Sequence, residues 1–303
     1  MYAFLLHLLI MAGIYSIGTL SLNFQVAISS LSNFGQAAFF AIGAYTSALM
    51  YMAGVPFIVC MLAAMAFSSV FALIIALPAK ELKADYWAIM SIAAAETLRL
   101  FINNEKWLAE GPFGLRGIPR PLSEFFGSNY TLFYVFLVAI VLAMVYFFLN
   151  RLIASPFGRI MRGIRETDIL MAAFGKNVFR CKVIAMVIGG MTGALAGSLY
   201  AHYITFISPE HFAPTLTFLI WTMMIVGGQG NITGSIVGAL VITLLHTSTR
   251  FLKDLFYLPT DLIAALRTLL IGAMIIFFLV ARPAGLLPEK KRTIYRPPDG
   301  GKH

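Results

Sequence analysis

The chain has 303 residues, of which 60% are hydrophobic and only 12% charged, with a formal net charge of +9. Soluble domains carry roughly 25% charged residues, and one aqueous core could not hide so much apolar surface. Composition therefore excludes an ordinary soluble enzyme and points to a bilayer. The cations cluster beside apolar runs, which is the mark of cytoplasmic loops and argues against nucleic acid.

No Lys, Arg, Asp or Glu precedes Lys80. A spanning helix needs about 20 apolar residues, so this stretch has room for three crossings, predicted at 2–22, 33–52 and 57–77. The N-terminal segment lacks a basic leader region and a small-residue cleavage site, so it reads as a retained span. The stretch "NFQVAISSLSNFGQ" is unusually polar, with Asn23, Gln25, Ser29, Ser30, Ser32, Asn33 and Gln36. It cannot face lipid throughout; it is either a helix break facing other protein or the lining of an aqueous path. Cys60 and Cys181 form neither a disulfide framework nor a metal pattern.

A fourth span is predicted at 85–103. It contains Glu96 and Arg99, three residues apart and so on one helix face. Two kinds of reading stand: a structural ion pair or an Arg99 that snorkels outward, against residues lining a pathway. The 104–130 loop holds three basic and three acidic residues. The clearest span, 131–150, follows it.

Residues 155–182, "SPFGRIMRGIRETDILMAAFGKNVFRCK", carry Arg159, Arg162, Arg165, Lys176, Arg180 and Lys182. Ser155-Pro156 predicts a helix start, with the serine oxygen as cap and the proline where no N–H is needed. Phe157, Ile160 and Ile164 then share an apolar face while the arginines and Glu166 point elsewhere. Thr167 or Asp168 caps a second short helix, "ILMAAF", and Gly175 ends it. Topology alone explains the charge, and a lipid-surface helix explains the first half. A docking element for a cytoplasmic protein explains both halves, because the second half is apolar and small.

Spans follow at 183–206, 214–227, 231–250 and 262–281. The uncharged run 214–249 is divided at "GGQGN" (227–231), where glycines break a helix. Gly189, Gly193, Gly197 and Ala201 recur every four residues, and Gly234 and Gly238 repeat the spacing. Such rows allow close helix approach, within the chain or at a subunit interface. Arg267, inside the last span, reads as a satisfied structural charge. His7, His202, His211, His246 and His303 have no metal-ligand spacing, and there is no Gly-rich phosphate loop. No hydrolytic constellation supports an intramembrane enzyme.

The 151–182 region has seven Lys/Arg against two acids, and the tail from Arg282 has six against two. Both are expected to be cytoplasmic, with 104–130 outside and Lys80 and Lys83 inside. This orientation puts the N-terminus outside with nine crossings. If 33–52 only dips into the membrane, the count is eight and the N-terminus is inside.

Taken together, "SLSNFGQAAFFAIGAYTSAL" (30–49), "ADYWAIMSIAAAETLRLF" (84–101), "GPFGLRGIPRP" (111–121) and the basic segment resemble the LivH/LivM family of ABC-importer permeases, nearer the LivM branch. "GALAGSLYAHYITFISPEHF", "VGGQGNITGSIVGA" and "RPAGLLPEKKR" continue the resemblance in the family's order. It implies an all-α polytopic membrane protein of about eight to nine transmembrane helices with short cytoplasmic coupling helices. A single permease domain would span 1–287, with a coupling loop at 155–182 and a short tail at 288–303. The implied protein is a subunit of a bacterial inner-membrane importer for branched-chain or related amino acids. Its implied partners are a second, LivH-like permease, two ATP-binding subunits and an external solute-binding protein docking near 104–130. ATP and Mg would be used by those subunits, with no cofactor on this chain. Work would enter through 155–175, with Arg159, Arg162, Arg165, Glu166, Asp168, Ala172, Ala173 and Gly175 at the ATPase contact. Asn33, Gln36, Tyr45, Glu96 and Arg99 would line the translocation path. Two departures stand out: "ILMAAFG" lacks the Glu that relatives usually carry in that turn, and Gln36 stands where His is common. The competing reading is an ion-coupled secondary transporter built on Glu96 and Arg99.

Overall fold

A computed structural model describes residues 2–28, 30–80, 84–256 and 260–289. Helix α1 (Tyr2–Asn23) runs into a π-helical turn at Phe24–Ile28, and residues 30–35 have no regular structure. Helices α2 (Gln36–Met52), α3 (Phe57–Ala76) and α4 (Ala84–Asn104) follow. The next connection holds α5 (Lys106–Ala109), strand β1 (Leu115–Arg116) and α6 (Ser123–Phe126). Then come α7 (Tyr130–Ala154), α8 (Pro156–Glu166), α9 (Asp168–Ala173) and α10 (Val178–Ile204). Strand β2 (Phe206–Ile207), α11 (Pro214–Gly227), α12 (Ile232–Phe256) and α13 (Thr260–Ala281) complete the order.

Among the described residues, four helices are each long and apolar enough to cross a bilayer: Tyr2–Val26, α3, α7 and α10. Helices α11 and α12 meet the same test as a pair bent by 119°. The bend lies at the predicted glycine cluster, where Gly228 and Gly230 adopt φ of +114° and +82°. These are backbone conformations that glycine reaches without steric cost. The 14 residues of α11 reach only about 21 Å, short of the roughly 30 Å hydrocarbon layer. Helix α2 starts at Gln36 rather than at the predicted residue 33. Lys83 lies outside the described residues, as do the side chains of Lys80 and Arg267.

Helices α1 and α10 form the interior. Helix α10 packs on α1, α2 and α3, while α1 also packs on α7, α11 and α12. Helices α3 and α7 turn Ile58, Leu62, Phe67 and Val70, and Phe136, Ile140, Met144 and Phe147, outward. Lipid, not water, suits such faces. The small-residue rows serve packing inside the chain. A Cβ on Gly197 would lie 2.0 Å from the Phe40 carbonyl oxygen, and one on Gly43 2.0 Å from that of Ala194. Gly238 approaches the Met223 carbonyl in the same way. Close backbone contact replaces the hydrophobic drive that is missing between helices in lipid.

The bundle has two distinct ends. At one, β1 pairs antiparallel with β2, joining the 104–130 connection to the chain after α10. The start of α1 lies at this end, where His7 Nδ1 is 2.7 Å from the Tyr203 hydroxyl. At the other end lie α8, α9, the 228–231 break and residues 284–289. Pro288 and Glu289, read from sequence as the start of a separate tail, are docked there: Asn231 Nδ2 donates to the Pro288 carbonyl (3.1 Å), and Arg165 pairs with Glu289 (3.0 Å).

Candidate functional site

The basic segment folds as the predicted pair of short helices. Pro156 occupies the first turn of α8, and Gly175 ends α9 with φ of +72°. The capping detail differs. The Ser155 hydroxyl donates to the Leu152 carbonyl (2.6 Å), so it closes the end of α7 and makes no side-chain cap on α8. Neither does the Thr167 side chain cap α9; its carbonyl instead accepts from Met171 N.

Helix α8 is strongly two-sided. Met161 and Ile164 are buried, and Phe157 and Ile160 pack half-buried on the core. This face lies on residues 24–28, where α1 loses regular helix. Of the predicted contact residues, Arg159, Glu166, Asp168, Ala172, Ala173 and Gly175 are exposed. Arg162 and Arg165 turn back into the chain. Arg162 reaches the Ile153 carbonyl (3.4 Å), and Arg165 forms its ion pair with Glu289. Asp168 is paired with the Lys182 ammonium, which ties the start of α9 to α10.

Helix α9 shows the feature that residue-by-residue selection missed. Ile169, Leu170 and Phe174 are 82%, 53% and 68% exposed, at the basic end of the molecule. Met171 turns inward onto Gly163, where a Cβ would meet its sulfur at 2.6 Å, so the apolar face is held out by a seated neighbour. Three large apolar side chains in a charged loop were the signal available in the sequence. A contiguous exposed apolar patch with a polar rim marks an interaction surface.

The polar stretch around Asn33 resolves into a buried network. Asn23, Gln25, Asn33 and Gln36 are all buried. Asn33 Nδ2 donates to Gln25 Oε1 (2.5 Å), Gln36 Nε2 to Ser21 Oγ (2.8 Å), and Ser21 Oγ to the Gly189 carbonyl (2.6 Å). Trp221 Nε1 donates to the Asn33 carbonyl (3.0 Å), and Gly35 N to Asn33 Oδ1 (2.7 Å). At Asn23, Gln25, Asn33 and Gln36 the break therefore faces protein, the first of the two alternatives, and these groups find internal partners as a membrane requires; Ser29 lies outside the described residues. Gly189 makes room for it, since a Cβ there would lie 2.1 Å from Gln25 Nε2. Asn23 reaches the second break, donating to the Asn231 carbonyl (3.0 Å) and accepting from Gly230 N (2.9 Å). The two interrupted regions are thus stitched together.

Glu96 and Arg99 sit apart from this network, toward the other end. Arg99 makes a bidentate pair with Glu96 (2.9 and 2.5 Å) and reaches Glu210 at 3.4 Å. The side chains of Arg99 and Glu96 are 18% and 34% exposed. Tyr45 is elsewhere again, against Phe212, with its hydroxyl buried and unpartnered. The five predicted pathway residues therefore do not converge on one site. The sequence reading also missed His202, buried between the Ser47 hydroxyl (2.9 Å) and the Pro119 carbonyl (3.1 Å), which ties α10 to α2 and to the 104–130 connection. Among the described residues no cluster of three or more His, Cys, Asp or Glu could hold a metal.

Residues 4–279 match the family described as branched-chain amino acid transport system, permease component. The chain belongs to that family. It is 30% identical over 302 residues to the high-affinity branched-chain amino acid transport system permease protein LivM of Salmonella typhimurium, covering 92% of this chain and 68% of the relative. A probable LivM permease of Methanocaldococcus jannaschii is 28% identical, with 96% and 94% covered. A guanosine ABC transporter permease of Bacillus subtilis is 31% identical over 57% of this chain and 59% of its own length. No solved structure matches the chain. Membership makes this LivM-like chain a multi-pass transporter component.

Proposed function

We propose that this chain is the LivM-like permease subunit of an ABC importer that moves branched-chain or related amino acids across a bacterial inner membrane. The observation that carries the proposal is the family match along nearly the whole chain. In this reading 1–287 is one permease domain, and the end bearing α8, α9 and the C-terminal segment is cytoplasmic. Concentration of Lys and Arg there supports the orientation. One of two ATP-binding subunits, which use ATP and Mg, docks on the exposed face of α9 with Arg159, Glu166, Ala172, Ala173 and Gly175 around it. A LivH-like second permease completes the membrane part. An external solute-binding protein docks on the opposite end, where Trp107, Phe113 and Phe125 stand exposed.

Mechanically, closure of the ATPases displaces α9, and α8 transmits the movement. Helix α8 rests on the π-helical turn after α1, whose Gln25 belongs to the network that holds Asn33 and Gln36. Single π-helical turns are frequent at functional sites, and force applied at α8 arrives at this one. Asn33, Gln36 and Tyr45 move with the inner helices and change access to the path. The bidentate Glu96–Arg99 pair satisfies itself and braces the outer end.

The test is reconstitution in proteoliposomes with the partner subunits and binding protein. ATP-dependent uptake of leucine, isoleucine or valine that requires all components is the expected result. Uptake by this chain alone, driven by a proton or sodium gradient without ATP, would overturn the proposal in favour of a secondary transporter.

A further inference from the structure

The segment after α13 connects two parts of the molecule that face each other across open space. A groove of about 550 Å³ lies between the last turns of α7, with Arg162 of α8, and the start of α12, lined by Asn150, Ile153, Arg162, Asn231, Thr233 and Leu287 among others. The backbone of 284–289 crosses beside it. Leu286 N donates to the Val226 carbonyl (2.8 Å) and Leu287 N to that of Gly227 (3.0 Å), so the segment takes up the free carbonyls at the end of α11. Gly285, at φ of +69°, lies so close to Gly228 that a Cβ on it would be 2.4 Å from the Gly228 Cα. The Glu289 side chain rests on Gly230, where a Cβ would come within 2.7 Å of its carboxylate, and the same carboxylate accepts from Arg165 of α8 at 3.0 Å.

We propose that Glu289 is a positioning residue of transport: it joins α8 to the α11–α12 break, so that movement of the coupling helix reaches the break and, through Asn23, the break in α1. The inference rests on the reading of α8–α9 as the coupling element. One route from α8 is its direct packing on residues 24–28; Glu289 supplies a second, to the other interrupted pair. The ion pair ties α8 directly to the break across this groove; without it, a shift of α8 reaches the break only by way of residues 23–28. Arg165 and Glu289 are 32% and 34% exposed, and the segment is also held by the backbone bonds of Leu286 and Leu287, so loss of the charge alone leaves the bundle folded. The pair acts as a link between two movable elements.

The experiment uses the assembled transporter in proteoliposomes, measuring both ATP hydrolysis and leucine uptake. Glu289→Gln keeps the shape of the side chain and removes its charge. The expected result is assembly and thermal stability like wild type, with uptake per ATP hydrolysed reduced about fivefold, the lower end of typical coupling between sites. The exchange Arg165→Glu with Glu289→Arg restores at least half of the loss. Uptake per ATP within about twofold of wild type in Glu289→Gln overturns the proposal. So does a loss that merely follows reduced assembly, or an exchange that restores nothing. Ile169→Asp is measured alongside: ATPase subunits that stay bound to it refute the docking reading, whatever Glu289 does.

Discussion

Replacing Ile169 by Asp tests the docking surface most directly. Full burial of a large aliphatic side chain is worth about 1.5–3 kcal/mol. Ile169 is 82% exposed in the isolated chain, so nearly all of that remains available to a partner. An aspartate placed in the same contact also has to lose its hydration, which adds to the cost. Association with the ATP-binding subunits is therefore expected to weaken by at least about 2 kcal/mol, roughly 30-fold in Kd. The fold has nothing to lose, because exposed substitutions away from special backbone features usually shift stability by less than about 0.5 kcal/mol. The assay is binding of purified ATPase subunits to the chain in nanodiscs, with thermal unfolding measured in parallel. Phe125→Asp, equally exposed but at the opposite end, is the control and is expected to bind the ATPase normally. Undiminished binding by Ile169→Asp, or equal weakening by Phe125→Asp, would refute the assignment of α9.

Five further substitutions test the packing and pairing of the chain. Gly197→Ala drives a Cβ against the Phe40 carbonyl and separates α10 from α2, straining the Ser198–Ser47 and Ser47–His202 contacts; a loss of about 1–3 kcal/mol is expected in detergent unfolding. Gly272→Ala, with nothing within 4 Å of the new Cβ, is expected to be neutral or slightly stabilising. Asn33→Ala removes the donor to Gln25 and the acceptor for Gly35 N at a fully buried position, and is expected to cost about 2–4 kcal/mol in the same measurement. Glu96→Gln removes the main partner of a mostly buried guanidinium and is expected to lower the unfolding temperature. By contrast, Glu210→Gln, whose carboxylate is 81% exposed, should change stability by less than about 0.5 kcal/mol.

Several of the chain's features could be read one residue after another. The uncharged first 79 residues require a bilayer whatever the fold, because apolar surface of that extent has no aqueous solution. Pro156, Gly175 and the glycines at 228 and 230 act through their own backbone preferences, so the two short helices and the bent pair were legible locally. The same holds for Glu96 and Arg99, three residues apart on one helix. Ser155 shows where local reading stops. Its hydroxyl can serve the helix behind it or the one ahead, and packing of α7 against α8 decided for the former.

Membrane class, helix punctuation and the gathering of basic residues were set by the sequence itself, since each is decided within a few residues or by composition alone. The tertiary structure decided whether the polar stretch lines water or meets protein. It did so by bringing Ser21 to Gln36, Asn33 to Trp221 and Asn23 to Asn231. It also decided that Glu289 belongs to α8 rather than to a loose tail. In lipid a buried amide must find its partner inside the chain. The sequence can state that need but not which distant residue meets it, because the choice depends on how the helices pack.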